Sequence, residues 1–399
     1  MTRLPPALLA SGAHRPWVVG GMAHGISSVA LVNEAARAGC LAFYGAAGLD
    51  LERVSADLAA LDPTGPVGVN LAHADPARDA AVLACARAHG IDRIEVSGFL
   101  RPTPEVIAFR FGGPSFVLAK VSRLAAAQAW LAPPHARTLR TCVEQGLLTN
   151  AQADRARDRP CADGLILEGD SGGHTDRRSW LALLPAVRAL PGADRAVLAV
   201  AGGLGTPEGV RAALASGADL VVGGSVHQSC LESGVREPVR TALLDASVED
   251  FAYAPSAVWF GTPARVQVLA NRFASRADRL ERVWLRSGDE RLAGADLAFV
   301  ESLLGPLPAA WSETSGWLEA HDPELLRGAT TRKARLALLC RRWLATCARR
   351  AVVDDGGDDV QIWSGPAVAA LNARSAGSPL ARERPVGALV RWLCPQEFR

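Results

Sequence analysis

The chain has 399 residues, 49% hydrophobic and 21% charged, which is enough apolar material for one barrel-sized core and a smaller appended region. A formal net charge of +2 with no block of like charges argues against a nucleic-acid partner, and no apolar run reaches the ~18 residues of a membrane span. The eight cysteines (Cys40, Cys85, Cys142, Cys161, Cys230, Cys340, Cys347, Cys394) show neither CxxC nor paired metal spacing; they read as reduced thiols, and the proline-broken N-terminus lacks a signal-peptide core, so a cytoplasmic location is expected.

The first 230 residues alternate strand-like and helix-like segments. Pro16 to Met22 is a short apolar run, followed by helical periodicity over Ser27 to Ala38. Strands at Cys40–Ala46, Val67–Ala72 and Arg93–Phe99 alternate with helices at Leu49–Leu61, Pro76–His89 and Pro104–Phe111. A strand at Ser115–Ser122 leads to a helix at Leu124–Leu131, then to an excursion with a helix near Asn150–Arg157. Gly164–Asp170, Ala196–Gly202 and Leu220–Val226 complete the strands, with helices at Trp180–Leu190 and Pro207–Ser216 and a helix starting over Gln228–Ser233. Eight β/α units in this length predict an α/β fold, a (β/α)₈ TIM barrel over 1–235. A doubly wound open sheet shows the same alternation; the count of eight and the glycine-rich ends of the last two strands favour the barrel. Beyond Ser233 helical segments dominate (Val239–Ala246, Ala277–Trp284, Leu297–Leu304, Thr331–Arg350), so 236–399 is expected to be a mainly helical extension capping the barrel mouth. Asp354 to Asp359 reads as an exposed acidic loop, because it lacks the spacing and closing glutamate of a calcium loop.

Chemistry in such a barrel sits at the C-terminal strand ends. The seventh predicted strand ends in Gly202-Gly203 and the eighth in Gly224-Ser225; glycines admit a phosphate close to the backbone, although tight turns alone also need them. The sixth ends in Asp170-Ser171-Gly172-Gly173-His174, where glycines beside a histidine suit a flat cofactor and proton transfer near neutral pH. The first ends in Gly20-Gly21-Met22-Ala23, again small enough for a planar ring. Asn70 and Lys120 lie on the third and fifth strands; Lys120 stands out because only it and Lys333 are lysines. His227, beside the eighth strand's glycines, is a weaker candidate. His24, His174 and His227 form no HxH or HExxH pair, so no metal site is expected, and there is no GxSxG elbow.

These residues carry a resemblance. GGMAHGISSVALV (20–32), FYGAAGLDLERV (43–54), GVNL (68–71), LAKVSR (118–123), EGDSGGHTD (168–176), AGGLGTP (201–207), GADLVVGGSVHQSCLESG (217–234) and QIWSGPA (361–367) resemble the trans-acting, PfaD-type enoyl reductases of bacterial polyketide and polyunsaturated fatty-acid synthases. Those are FMN barrels related to nitronate monooxygenases. The resemblance implies that Gly20, Gly21, Met22 and Ala23 back the isoalloxazine. It further implies that Asn70 and Lys120 contact the ring or ribityl chain, that Gly172 and Gly173 approach the flavin, and that Gly202, Gly203, Gly224 and Ser225 hold its phosphate. Asp170 is counted with these cofactor residues. His174 matches the family's proposed acid or base, with Lys120 as the second catalytic candidate. NADPH is the implied reductant, an enoyl thioester on an acyl carrier protein the implied substrate, and any oligomer is expected to be a homodimer. The basic run Arg332, Lys333, Arg335, Arg341 and Arg342 would suit an acidic carrier protein. The stretch 259–275 departs from the family pattern. The alternatives are a nitronate-type flavin oxidase and a degenerate barrel serving in docking.

Overall fold

Strand alternation in the first 230 residues closes into a ring. In a computed structural model, which describes residues 4, 6–10, 12–170, 172–289 and 291–395, the chain divides into two units. The first comprises residues up to 171, 176–248 and those from 366 on; the second comprises 172–175 and 249–365.

The first unit is built on eight parallel strands: β1 (Trp17–Val19), β2 (Leu41–Gly45), β3 (Val67–Ala72), β4 (Arg93–Ser97), β5 (Phe116–Val121), β6 (Gly164–Glu168), β8 (Val197–Ala201) and β9 (Leu220–Gly223). They form a closed barrel in that order, β9 pairing back onto β1 through Trp17↔Val221 and Val18↔Val222. This is the expected (β/α)₈ architecture, and closure leaves no sheet edge. Strand periodicity of two sends alternate residues inward. Val18, Leu41, Phe43, Leu118, Ile166, Ala199 and Val222 meet in the interior, while Trp17, Val19, Ala42, Tyr44, Val69 and Val96 face the helices. Leu4 and Leu8, on and beside the helix Pro6–Ala10, join the same interior cluster. Burying each such Leu or Phe contributes roughly 1.5–3 kcal/mol.

Helices start where the sequence supplies caps. Ser28, Asp50, Asp75 and Thr206 each accept from a backbone N–H in the first turn of the helix that follows. The last predicted strand is shorter than expected: it stops at Gly223, and a one-turn helix, Ser225–Gln228, takes over. A helix at Ala136–Glu144 in the excursion between β5 and β6 has no counterpart in the sequence expectation.

The chain from Pro366 packs back onto the first unit through helices Ala367–Ser375 and Val386–Leu393. The fully buried Arg384 is the clasp. Its guanidinium donates to Leu380 O (2.7 Å), Ser229 Oγ (2.9 Å) and Asn372 Oδ1 (2.7 Å). Burial without a carboxylate partner lowers its pKa to about 10.

The second unit has a three-stranded antiparallel sheet in the order β10–β11–β7, from β7 (Gly173–Thr175), β10 (Phe251–Ala254) and β11 (Arg265–Leu269). Its helices include Arg272–Arg286, Gly294–Leu304, Leu307–His321 and Arg332–Arg349, packed around Phe273, Leu280, Trp343 and Leu344. Strands β10 and β11 lie in a region that reads as helical in sequence; they are only four and five residues long. The acidic loop is exposed as expected except at half-buried Gly357 and at buried Asp359, which pairs with Arg272 (3.2 Å) and Arg276 (2.8 Å). The basic run is partly engaged by its neighbours. Lys333 lies over Trp284 and donates to Leu285 O; Arg335 lies over Trp311; Arg341 donates to Ala257 O; and Arg342 pairs with Glu313 and Thr314. Long stems lie along apolar surface where the helix offers it, while Arg332, Arg335 and Arg342 remain exposed.

Candidate active site

All eight barrel strands run the same way, so their C-terminal ends meet at one mouth. Gly20 to Ala23 follow β1, Asn70 lies in β3, Lys120 in β5, Asp170 just past β6, Gly202 and Gly203 past β8, and Gly224 and Ser225 past β9. The structure thus brings these sequence-predicted residues to one end of the barrel. Gly172, Gly173 and His174 belong to the second unit, on and beside β7. Ser171 lies outside the described residues, as does the His174 side chain.

At the mouth the organising group is one absent from the sequence-predicted set. Glu95, in the middle of β4, is fully buried. Register places it level with Asn70 on β3 and Leu118 on β5. Its Oε2 accepts from Asn70 Nδ2 (2.7 Å) and from Gly21 N (2.9 Å). Its Oε1 lies 3.2 Å from Lys120 Nζ in an ion pair, yet takes no well-aimed hydrogen bond among the described residues. Asn70 is held further by Glu95 O (3.3 Å) and by Ser97 Oγ, which approaches its Oδ1 at 3.5 Å. Glu168, at the end of β6, is the second carboxylate. Burial raises its pKa, Lys120 opposes that rise, and Glu95 and Asp176 add to it. Burial alone would lower the Lys120 pKa, but Glu95 and Glu168 more than offset this, so the ammonium sits above the ordinary lysine value. A signal for Glu95 was present: a carboxylate between the apolar Ile94 and Val96 of a strand is costly to bury unless paired.

Backbone shape completes the mouth. A Cβ on Gly21 would lie 2.2 Å from Asn70 Cβ, and one on Gly45 would lie 1.6 Å from Met22 O, so neither position admits a side chain. Met22 N donates to Ser27 Oγ (3.0 Å), which in turn donates to Gly20 O (2.8 Å), fixing the turn after β1. Gly203 is different: its φ of +71° favours glycine, and a Cβ there would meet nothing within 4 Å. Gly224 likewise faces open space. These two loops are cradles that a Cβ would fill, which fits a phosphate lying close to the backbone. Asp170 is tied in by its N–H, which donates to Arg178 O (2.7 Å).

His227 is structural. Its Nδ1 sits 3.1 Å from Gly223 O, and Trp17 Nε1 donates to its Nε2 at 3.1 Å, so the ring is a neutral, fully buried strut between β9 and β1. Burial lowers its pKa to about 4, against a smaller opposing effect of the Gly223 carbonyl. The unfolded ring protonates near 6.5, so stability from this histidine is complete above that value and is lost as pH falls from 6.5 to 4. The stability advantage of the wild type over His227→Gln is expected to shrink by about 3 kcal/mol across that window. Denaturant titrations at pH 7 and pH 4 check this; a pH-independent difference would show that the ring is not held neutral.

An open cavity of about 470 Å³ lies at the other end of the barrel, among Arg93, Arg110, Phe111, Arg155 and Arg159. Helices Pro104–Gly112 and Asn150–Ala156 end there, with Arg110 and Arg155 in their last turns. The arginines offset those helix dipoles, and the strand ends present are the N-terminal ones. Among the described residues, no group of three His, Cys, Asp or Glu could hold a metal, and no helix is long and apolar enough to cross a membrane.

Comparison with known proteins fits this geometry. The nitronate monooxygenase family profile matches residues 7–333. The enoyl reductase domain of MlnA, from the macrolactin biosynthesis cluster of Bacillus amyloliquefaciens, superposes with a TM-score of 0.88 at 27% identity, over 98% of this chain and 96% of that one. The polyketide biosynthesis protein ThaF of Burkholderia thailandensis is 34% identical over 90% of this chain and 34% of its own length. A polyunsaturated fatty acid synthase component of Thraustochytrium sp. is 33% identical over 93% of this chain and 27% of its own length. The chain therefore spans about a third or less of these two much longer relatives. With a closed parallel barrel and a family match over most of its length, the chain belongs to the nitronate monooxygenase family.

Proposed function

We propose that this protein is an FMN-dependent enoyl reductase acting in trans on enoyl thioesters carried by an acyl carrier protein of a polyketide or polyunsaturated fatty-acid synthase, with NADPH as reductant. The observation that carries the reading is the likeness to an enoyl reductase domain over nearly the full length of both chains. The glycine cradles after β8 and β9 and the backbone-lined turn after β1 fit the flavin. Held by these glycine turns, FMN would supply hydride-transfer chemistry between NADPH and the enoyl Cβ, leaving the proton for Cα to the chain's own residues.

The chain's own residues do the rest. Gly20, Gly21, Met22 and Ala23 present backbone to the ring, where any side chain on Gly21 would intrude on Asn70. Gly202, Gly203, Gly224 and Ser225 hold the phosphate, with Asp170 at the same end of the barrel. Lys120 supplies a fixed positive charge beside the ring. His174 holds the proton destined for Cα. Preorganised charge of this kind acts without reorganisation as the reaction proceeds.

A second reading, flavin-dependent oxidation of nitronates, is favoured by the family match itself. Anaerobic reduction by NADPH followed by mixing with either a crotonyl thioester or an oxygenated nitronate separates the two. Rapid reoxidation by the enoyl thioester is expected; rapid reoxidation only by oxygen with the nitronate would overturn the reductase reading. A purified protein that stays colourless after incubation with FMN would instead indicate a docking role without catalysis.

A further inference from the structure

Glu95 is a buried carboxylate with an unusual set of partners. Its three side-chain contacts are to Gly21 N (2.9 Å), Asn70 Nδ2 (2.7 Å) and Lys120 Nζ (3.2 Å). Those are three of the residues given to the flavin, drawn from three different strands or strand ends. A strand-interior carboxylate at 0% exposure carries a desolvation cost that apolar residues of similar size would avoid. The barrel interior around it is otherwise packed by apolar side chains, among them Phe43, Leu118 and Ile166.

We propose that Glu95 is a positioning residue that sets both the geometry and the redox poise of the flavin site. This rests on the flavin reading above. On geometry, one carboxylate oxygen holds the Asn70 amide and the Gly21 N–H together, so the amide orientation and the turn after β1 are fixed as a unit. The remaining Asn70 oxygen, approached among the described residues only by Ser97 Oγ at 3.5 Å, stays able to accept from the ring. On charge, Lys120 alone would favour the reduced, more negative flavin. Glu95 neutralises much of that charge at 3.2 Å, which keeps the bound flavin a better hydride donor once reduced. A purely structural carboxylate would affect folding and would leave the potential alone.

The test uses the full chain reconstituted with FMN, comparing the wild type with Glu95→Gln and Glu95→Asp. Two readouts are independent of turnover: flavin affinity from fluorescence quenching, and midpoint potential from dye-linked reduction. Glu95→Gln is expected to bind FMN at least about tenfold more weakly. It is also expected to shift the oxidised–reduced equilibrium about tenfold toward the reduced form, which is about 30 mV upward for the two-electron couple. Glu95→Asp keeps the charge but is one methylene short of the Gly21 amide, so the potential should stay near the wild type while affinity falls. Wild-type affinity and potential in Glu95→Gln would overturn the proposal while leaving the flavin reading intact. If Glu95→Gln fails to fold, unchanged affinity in Glu95→Asp overturns it instead. A wild-type protein that takes up no FMN would overturn both.

Discussion

A His174→Ala protein is expected to fold, to take up FMN, and to reduce an enoyl thioester about 10²–10⁴-fold more slowly, the range that a positioned general acid supplies. The backbone reason for expecting folding is local. His174 sits on β7, and the neighbouring Thr175 pairs with Arg265 of β11, so truncating the side chain leaves the ladder intact. Gly173, at φ +89°, needs glycine whatever follows it. Lys120 is the rival proton donor, and its environment argues against that role. Glu95 and Glu168 hold its pKa above that of an ordinary lysine, whereas an efficient acid has a pKa near the working pH. Lys120 thus fits charge stabilisation better, which leaves proton transfer as the role proposed for His174. Stopped-flow reoxidation of the reduced protein by a crotonyl thioester makes the comparison. Unchanged turnover in His174→Ala would remove the histidine from the chemistry, and a flavin-free variant would show that it binds cofactor instead.

The second large effect is expected from Gly21→Ala. The added Cβ would lie 2.2 Å from Asn70 Cβ and 3.1 Å from Glu95 Oε2. Neither neighbour has freedom to withdraw, since the two are bonded to each other at 2.7 Å and Glu95 is fully buried. Overpacking of this kind costs about 1–3 kcal/mol. The turn after β1 must also move, because Gly21 N is itself fixed on Glu95. The outcome expected is a lowered melting temperature together with FMN affinity reduced more than about tenfold, which is above about 1.4 kcal/mol. Thermal melts with and without FMN separate the two parts. A variant with wild-type flavin affinity would show that the first strand end does not back the ring.

Much of the mouth was legible because glycine punctuates it. Gly20-Gly21, Gly202-Gly203 and Gly224 are read directly from the strand ends, and parallel strands bring such ends to one place. Asn70 and Lys120 stood out as polar residues on apolar strands. Glu95 met the same criterion but sat inside RIEVS, between an arginine and a serine, where one more charged residue attracts no notice. His227 shows the opposite error: beside a glycine-rich strand end it looked like a site candidate, yet it bridges Trp17 and the Gly223 carbonyl inside the wall of the barrel. The strands β10 and β11 were missed because short strands between long helices leave little periodicity to detect.

By itself the sequence determined the barrel, since alternation of buried apolar strands with capped helices has few parallel solutions and eight repeats close the ring. It also determined which strand ends carry small, ligand-tolerant backbone. Only the tertiary structure decided how the polar residues pair. Whether Lys120 is a free cation or a neutralised one depends on Glu95, 25 residues earlier, and on Glu168, 48 residues later, facing the same barrel interior. Such pairing is set by register between strands, a long-range quantity that no local pattern contains.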